Sequence, residues 1–163
     1  MMAEAERAGR LRDDIARMFG RSLHIRTVDT GSCAVCESEI RLLGAPHYDL
    51  HRLGFFFTPA PRHADLLLVT GPAVRAFDPA LAKTYAAIPD PKVVVAIGAC
   101  ALGGVYPRDA FVHGTVADVL PVDVSIPGCP PSPIALLQGL AVAVHRLAAR
   151  TPGLTFTLDG DPS

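Results

Sequence analysis

Hydrophobic and polar positions along the chain follow two periods in turn. In AEAERAGRLRDDIARMF (3–19), Leu11, Ile15, Met18 and Phe19 fall on one face of a helix, with Arg and Asp residues opposite. LHIRTVD (23–29) alternates and is rich in β-branched residues, which predicts a strand. CESEIRLLG (36–44) predicts a short helix ended by Gly44. APHYDLHRLGFFFTPAPRH (45–63) has no clear period and is expected to be a long ordered loop around a short strand. ADLLLVTGP (64–72) and KVVVAIG (92–98) are continuous apolar runs. Between them DPALAKTYAAI (78–88) predicts a helix, with Asp78 as N-cap and Pro79 at the first helical position. LPVDVSIPG (120–128) predicts a short strand broken by prolines. PSPIALLQGLAVAVHRLAAR (131–150) predicts the longest helix, capped by Ser132, with apolar residues almost all round and so both faces covered. The remainder, TPGLTFTLDGDPS, suggests an edge strand and a frayed end.

Continuous apolar strands separated by helices are the signature of parallel strands buried on both faces. The chain therefore predicts an α/β fold with an open, mainly parallel sheet, helices on both faces and right-handed crossovers. Its 163 residues, half of them hydrophobic and 19% charged, suffice for one domain that needs no disulfide staples. So apolar a composition also suggests that partners cover part of the surface. A net charge of −1, with no basic stripe or aromatic platform, gives no sign of nucleic-acid binding. No apolar run approaches the ~20 residues of a membrane span, and the N-terminus lacks the apolar core of a secretory signal. A cytosol-facing protein is expected, and there thiols stay reduced.

That expectation turns attention to the four cysteines. Cys33 and Cys36 follow the first predicted strand, Cys100 follows 92–98, and Cys129 follows the strand around 121–126. Each lies just beyond the carboxyl end of a predicted parallel strand, where open α/β sheets form their ligand crevice. Four thiols from distant parts of the chain would thus converge on one rim. Gly31, Gly98, Gly103, Gly104 and Gly128 crowd them and let the backbone approach a bulky ligand. Cys129 precedes a capped helix N-terminus, which favours negative charge, in a loop stiffened by prolines 127, 130, 131 and 133. Four thiolates suit zinc or an iron–sulfur cluster. A structural zinc site usually shows two C-x-x-C pairs, whereas here one pair is joined by two lone cysteines, which suits a cubane. A redox-active C-x-x-C dithiol with two inert cysteines also stays open.

Three segments, GSCAVCESEI (31–40), GACALGGVYP (98–107) and VDVSIPGCPPSP (122–133), together with HRLGFFFTPAPRHADLLLVTGP (51–72), resemble a known family. It is the small-subunit family shared by [NiFe] hydrogenases and the NuoB/PSST-type 20 kDa subunit of respiratory complex I. The similarity spans about residues 23–148. It implies a flavodoxin-like single domain carrying one [4Fe-4S] cluster on Cys33, Cys36, Cys100 and Cys129, with no catalytic residue of its own. It divides the chain into an N-terminal amphipathic docking helix (1–22), the flavodoxin-like cluster domain (23–150) and a C-terminal tail (151–163). The implied role is electron relay in a multisubunit oxidoreductase, peripheral on the cytoplasmic side of the membrane. The implied partners are a large catalytic subunit (the [NiFe] hydrogenase large subunit or a NuoD-like one), a ferredoxin-like iron–sulfur subunit and membrane subunits.

The spaced C-A-V-C form looks most like group 4, energy-converting hydrogenases of the formate hydrogenlyase type. Complex I members typically carry adjacent cysteines there. Ala34 and Val35 stand where those hydrogenases often have Asn-Gly, and ACALGG is closer to complex I. A NuoB-type component of a complex I-like NADH/quinone oxidoreductase is therefore the alternative. From another class, a zinc-stabilised non-enzymatic adaptor is the second alternative. Glu37 and Glu39 read either as acids at a helix N-terminus or as a proton route. Arg62 and His63 read either as a solvated turn or as groups near the cluster that link proton and electron uptake. Phe55, Phe56 and Phe57 read either as a core strand or as a partner surface.

Overall fold

A computed structural model describes residues 2–151. The segment beyond 151, for which the sequence suggests an edge strand, lies outside the described residues. Five strands form one sheet: β1 Leu23–Asp29, β2 Phe55–Phe57, β3 Leu66–Thr70, β4 Val93–Ile97 and β5 Val124–Ile126. All adjacent pairs are parallel, in the order β2-β1-β3-β4-β5. This is the flavodoxin-like order, in which the chain reverses direction across the sheet between β1 and β3.

The helices are α1 Met2–Phe19, α2 Val35–Leu42, α3 Asp78–Ala87, the single turn α4 Gly98–Ala101, and α5 Pro133–Arg150. Successive residues of the central strands face opposite sides of the sheet, as the pleat requires. Leu66, Leu68, Val93, Val95 and Ile97 face one core with Leu11 and Ile15 of α1, Ile40 of α2 and Leu136, Leu140 and Val144 of α5. Leu67, Val69, Val94 and Ala96 face a second core with Leu81 of α3, Val116 and Leu120. The expected two-sided α/β sheet is present, and the amphipathic face of α1 packs on this same body.

Several local expectations change. Asp78 is the first residue of α3 rather than its cap, and its carboxylate instead meets His113 Nε2 at 2.6 Å. Ser132 does cap α5, accepting the Ala135 N–H at 3.3 Å. The expected coverage of both faces of α5 is not found in this chain, because Ile134 and Val142 are exposed. The Phe triplet is divided: Phe55 is fully buried, while Phe56 and Phe57 are 40% and 38% exposed on an edge strand.

Ion pairs tie down the amino ends of the strands. The Asp65 carboxylate accepts from Arg21 Nη1 and Nη2 at 3.0 and 2.6 Å and from the His24 N–H at 2.8 Å. Asp123 pairs with Arg150 at the end of α5 and accepts the Val94 N–H at 2.8 Å. The carboxyl ends are held by loops instead, and those loops carry the cysteines.

Candidate thiol centre

The loop from β1 to α2 is built on short polar side chains. Asp29 Oδ1 accepts the N–H groups of Gly31 and Ser32 at 2.8 and 2.6 Å, which turns the chain sharply at the end of the strand. Thr30 is buried, and its hydroxyl donates to the Thr70 or Pro72 carbonyl, at 2.8 and 3.0 Å. Cys33 is exposed on this loop. Cys36 is buried in the first turn of α2 and shares its inward face with Ile40, one turn on. Cys100 lies in α4, directly after β4. Cys129 follows β5 in the loop that ends at the Ser132 cap.

These loops are tied to one another. The Ala99 N–H donates to the Gly128 carbonyl at 2.7 Å, joining the Cys100 turn to the Cys129 loop. Gly98 has φ +89, and a β-carbon there would sit 2.7 Å from Cys36 Sγ. Only glycine leaves that volume to the sulfur.

All four cysteines are free. Burial is the largest cause pushing the Cys36 thiol up to about 11, followed by the fields of Glu37, Cys100, Cys33 and Cys129. Burial likewise raises Cys100, with Cys129 and Cys33 adding to it, its own backbone opposing and Glu37 contributing least. The fields of the other thiols thus act on Cys36, as those of Cys33 and Cys129 act on Cys100. Without a cation, Cys36 and Cys100 are held protonated at neutral pH, so loading a metal group here releases protons.

Four thiolate donors suit zinc or an iron–sulfur cluster. One zinc ion needs its sulfurs about 3.8 Å apart, from Zn–S bonds of about 2.3 Å at tetrahedral angles. Among the described residues no three His, Cys, Asp or Glu side chains form a group that could hold a single ion. Four sulfur donors delivered by three separate loops suit the corners of a cubane cluster.

Glu37 meets this site directly. Its Oε1 accepts the Ser32 hydroxyl at 2.8 Å and also the Thr70 hydroxyl, while its Oε2 is buried with no hydrogen-bond partner among the described residues. Glu39 is half-buried, three residues beyond Cys36 on α2. Arg62 and His63 are exposed in a 3-10 turn, Pro61–His63, that leads into the amino end of β3. The cysteines, by contrast, follow carboxyl ends. The arrangement thus draws Glu37 to the thiols and sets Arg62 and His63 at the other end of β3.

Sequence reading overlooked Ser32 and Thr70. A threonine closing the apolar run LLLVT was a usable signal, since a buried hydroxyl needs a partner. It also overlooked the chain leaving Cys100. Val105, Tyr106 and Phe111 are exposed there, Phe111 at 74%, and an antiparallel bridge joins Val112 to Val74 near the exposed Phe77. The Asp118 carboxylate closes this excursion, accepting the N–H and hydroxyl of Thr115 at 2.8 and 2.7 Å and pairing with Arg108.

Comparison with known proteins matches residues 33–143 to the family described as NADH ubiquinone oxidoreductase, 20 Kd subunit. The chain is 41% identical over 140 residues to a probable membrane-bound hydrogenase subunit of Pyrococcus furiosus, covering 85% of this chain and 84% of that protein. It is 37% identical over 167 residues to formate hydrogenlyase subunit 7 of Escherichia coli, across 99% of this chain and 64% of that protein. It is 40% identical over 120 residues to an NADH-quinone oxidoreductase subunit of Rhizobium meliloti, across 73% of this chain and 71% of that protein. Among solved structures, a chain of the membrane-bound sulfane sulfur reductase, an archaeal respiratory membrane complex, matches with a TM-score of 0.69 and 32% identity. That match covers 85% of this chain and 76% of the other.

Proposed function

The chain belongs to the NADH ubiquinone oxidoreductase 20 kDa subunit family, and from that premise we propose that it is the electron-relay subunit of a membrane-bound oxidoreductase complex. In this reading Cys33, Cys36, Cys100 and Cys129 hold one [4Fe-4S] cluster. The observation that supports it is the placement of four free cysteines on three loops at the carboxyl ends of β1, β4 and β5, with the Cys100 and Cys129 loops hydrogen-bonded together and Gly98 beside Cys36 Sγ. Bound there, the cluster would supply one-electron redox chemistry. The chain's own residues orient the thiolates through the Asp29 turn, the Ala99–Gly128 hydrogen bond and the space left by Gly98. Burial on the Cys36 side excludes water from part of the site and lets nearby charge act on its potential.

The specific assembly we propose is a group 4, formate hydrogenlyase-type [NiFe] hydrogenase, supported by the C-A-V-C spacing and by the hydrogenase names among the relatives. The partners would be a large nickel-binding subunit, a ferredoxin-like iron–sulfur subunit and membrane subunits. The protein would be peripheral, on the cytoplasmic face; no described helix is long and apolar enough to cross a membrane. A second reading, a quinone- or sulfur-linked complex, is favoured by the Rhizobium meliloti relative and by the sulfane sulfur reductase.

Anaerobic loading of the full chain with iron and sulfide tests the first claim. About four irons per chain with a reducible EPR signal are expected, and Cys100→Ala or Cys129→Ala should lose iron. Zinc without colour, or full iron in either variant, refutes it. Co-purification decides the assembly: a partner with nickel-binding C-x-x-C pairs selects the hydrogenase.

A further inference from the structure

We propose that Glu37 is a positioning residue of the thiol rim, bracing the Ser32–Cys36 loop against the carboxyl end of β3 through the hydroxyls of Ser32 and Thr70. This rests on the reading of that rim as a cluster site.

Cys33 and Ala34 are exposed, so no apolar packing holds this part of the loop. Ala34 also has φ 65, one of two non-glycine residues in the left-handed region among those described. A chain of hydrogen bonds supplies what packing does not. The Ala34 N–H donates to Ser32 Oγ at 3.0 Å, the Ser32 hydroxyl donates to Glu37 Oε1 at 2.8 Å, and the Thr70 hydroxyl donates to the same oxygen. Thr70 is 2% exposed, and among the described residues its other acceptor is the Val28 carbonyl at 3.4 Å. The Gly71 backbone lies directly beneath: a β-carbon there would come within 2.7 Å of the Ser32 nitrogen. The brace therefore crosses the β1–β3 switch point, joining the first cysteine pair to the centre of the sheet.

An acid serving only the α2 dipole would turn to solvent. Glu37 instead gives one oxygen to two hydroxyls and buries the other without a partner among the described residues. Its charge also opposes ionisation of Cys36 and Cys100. A carboxylate beside thiols that must become thiolates is electrostatically unfavourable. Its place is explained by the geometry it imposes on the loop.

The test uses the full chain as wild type and as Glu37→Ala, Glu37→Gln, Thr70→Val and Thr70→Ser. Melting temperatures are measured to separate unfolding from loss of the brace. In metal-free protein, Glu37→Ala and Thr70→Val should alkylate Cys36, which wild type keeps buried, about fivefold faster or more, the effect of losing about one hydrogen bond. After loading, both should release iron faster by a similar factor. Thr70→Ser should match wild type. Glu37→Gln keeps the acceptor oxygen, so it should retain iron, while loss of the charge raises the midpoint potential. Wild-type alkylation and iron retention in folded Glu37→Ala and Thr70→Val overturn the proposal, as does Glu37→Gln behaving like Glu37→Ala. A wild-type chain that takes up no iron refutes the cluster reading instead, and the alkylation rates of metal-free protein still decide the brace.

Discussion

At the scale of single residues, the site depends on one missing side chain. Gly98 combines φ +89 with a position where a methyl would lie 2.7 Å from Cys36 Sγ. Alanine there would meet a left-handed backbone cost of about 1–2 kcal/mol and would push against the sulfur. Gly98→Ala is expected to lower the melting temperature, and in metal-free protein to expose Cys36, which wild type keeps buried. Thermal melts and mass-spectrometric alkylation mapping check both effects. An unchanged alkylation pattern would mean that the sulfur has room the geometry does not suggest.

At the scale of elements, the excursion from Gly103 to Asp118 carries the exposed Tyr106 and Phe111, and polar contacts between Thr115 and Asp118 fasten it beside the buried Val116. Its fastener titrates. Asp118 is lowered from its ordinary 3.8 to about 2, first by the Thr115 N–H, then by the Thr115 hydroxyl, with burial opposing them and Arg108 adding less than either. A carboxylate depressed in the folded state stabilises above its unfolded pKa, and that contribution is lost as pH falls through the folded value. The loop should therefore loosen between about pH 4 and pH 2, ahead of global unfolding. Asp118→Asn should loosen it at neutral pH. Hydrogen exchange at the Thr115 amide reads both; protection that does not change across this window would remove Asp118 as the fastener.

At the scale of the whole molecule, the two ends of the sheet have different tasks. Carboxyl ends bear the thiols, and amino ends bear ion pairs that anchor helix termini and loops. Asp65 is nearly buried and serves Arg21 and the His24 N–H together. Because Arg21 is largely exposed, its share is small. Asp65→Ala is expected to cost about 2 kcal/mol, chiefly from the unpaired backbone donor. Urea melts measure this, and Cys33 and Cys36 alkylation should stay at wild-type rates. A change in thiol chemistry from that distance would show the two ends to be coupled.

The α/β class, the four long elements and the place of each cysteine after a strand were legible in the chain. They follow from local rules: LLLVT and KVVVAI have no polar face to turn to water, and a strand so buried must be parallel and covered. Ser132 could be recognised for the same reason, since a cap is a contact across three residues. Only the tertiary structure decided what meets across the sheet. The order β2-β1-β3-β4-β5 brings Thr70 to Glu37, leaves Phe56 and Phe57 on an edge, turns Asp78 from a cap into a partner of His113, and ties the Cys100 turn to the Cys129 loop. Periodicity records which side of an element is dry; which elements become neighbours is settled by the packing of the entire chain at once.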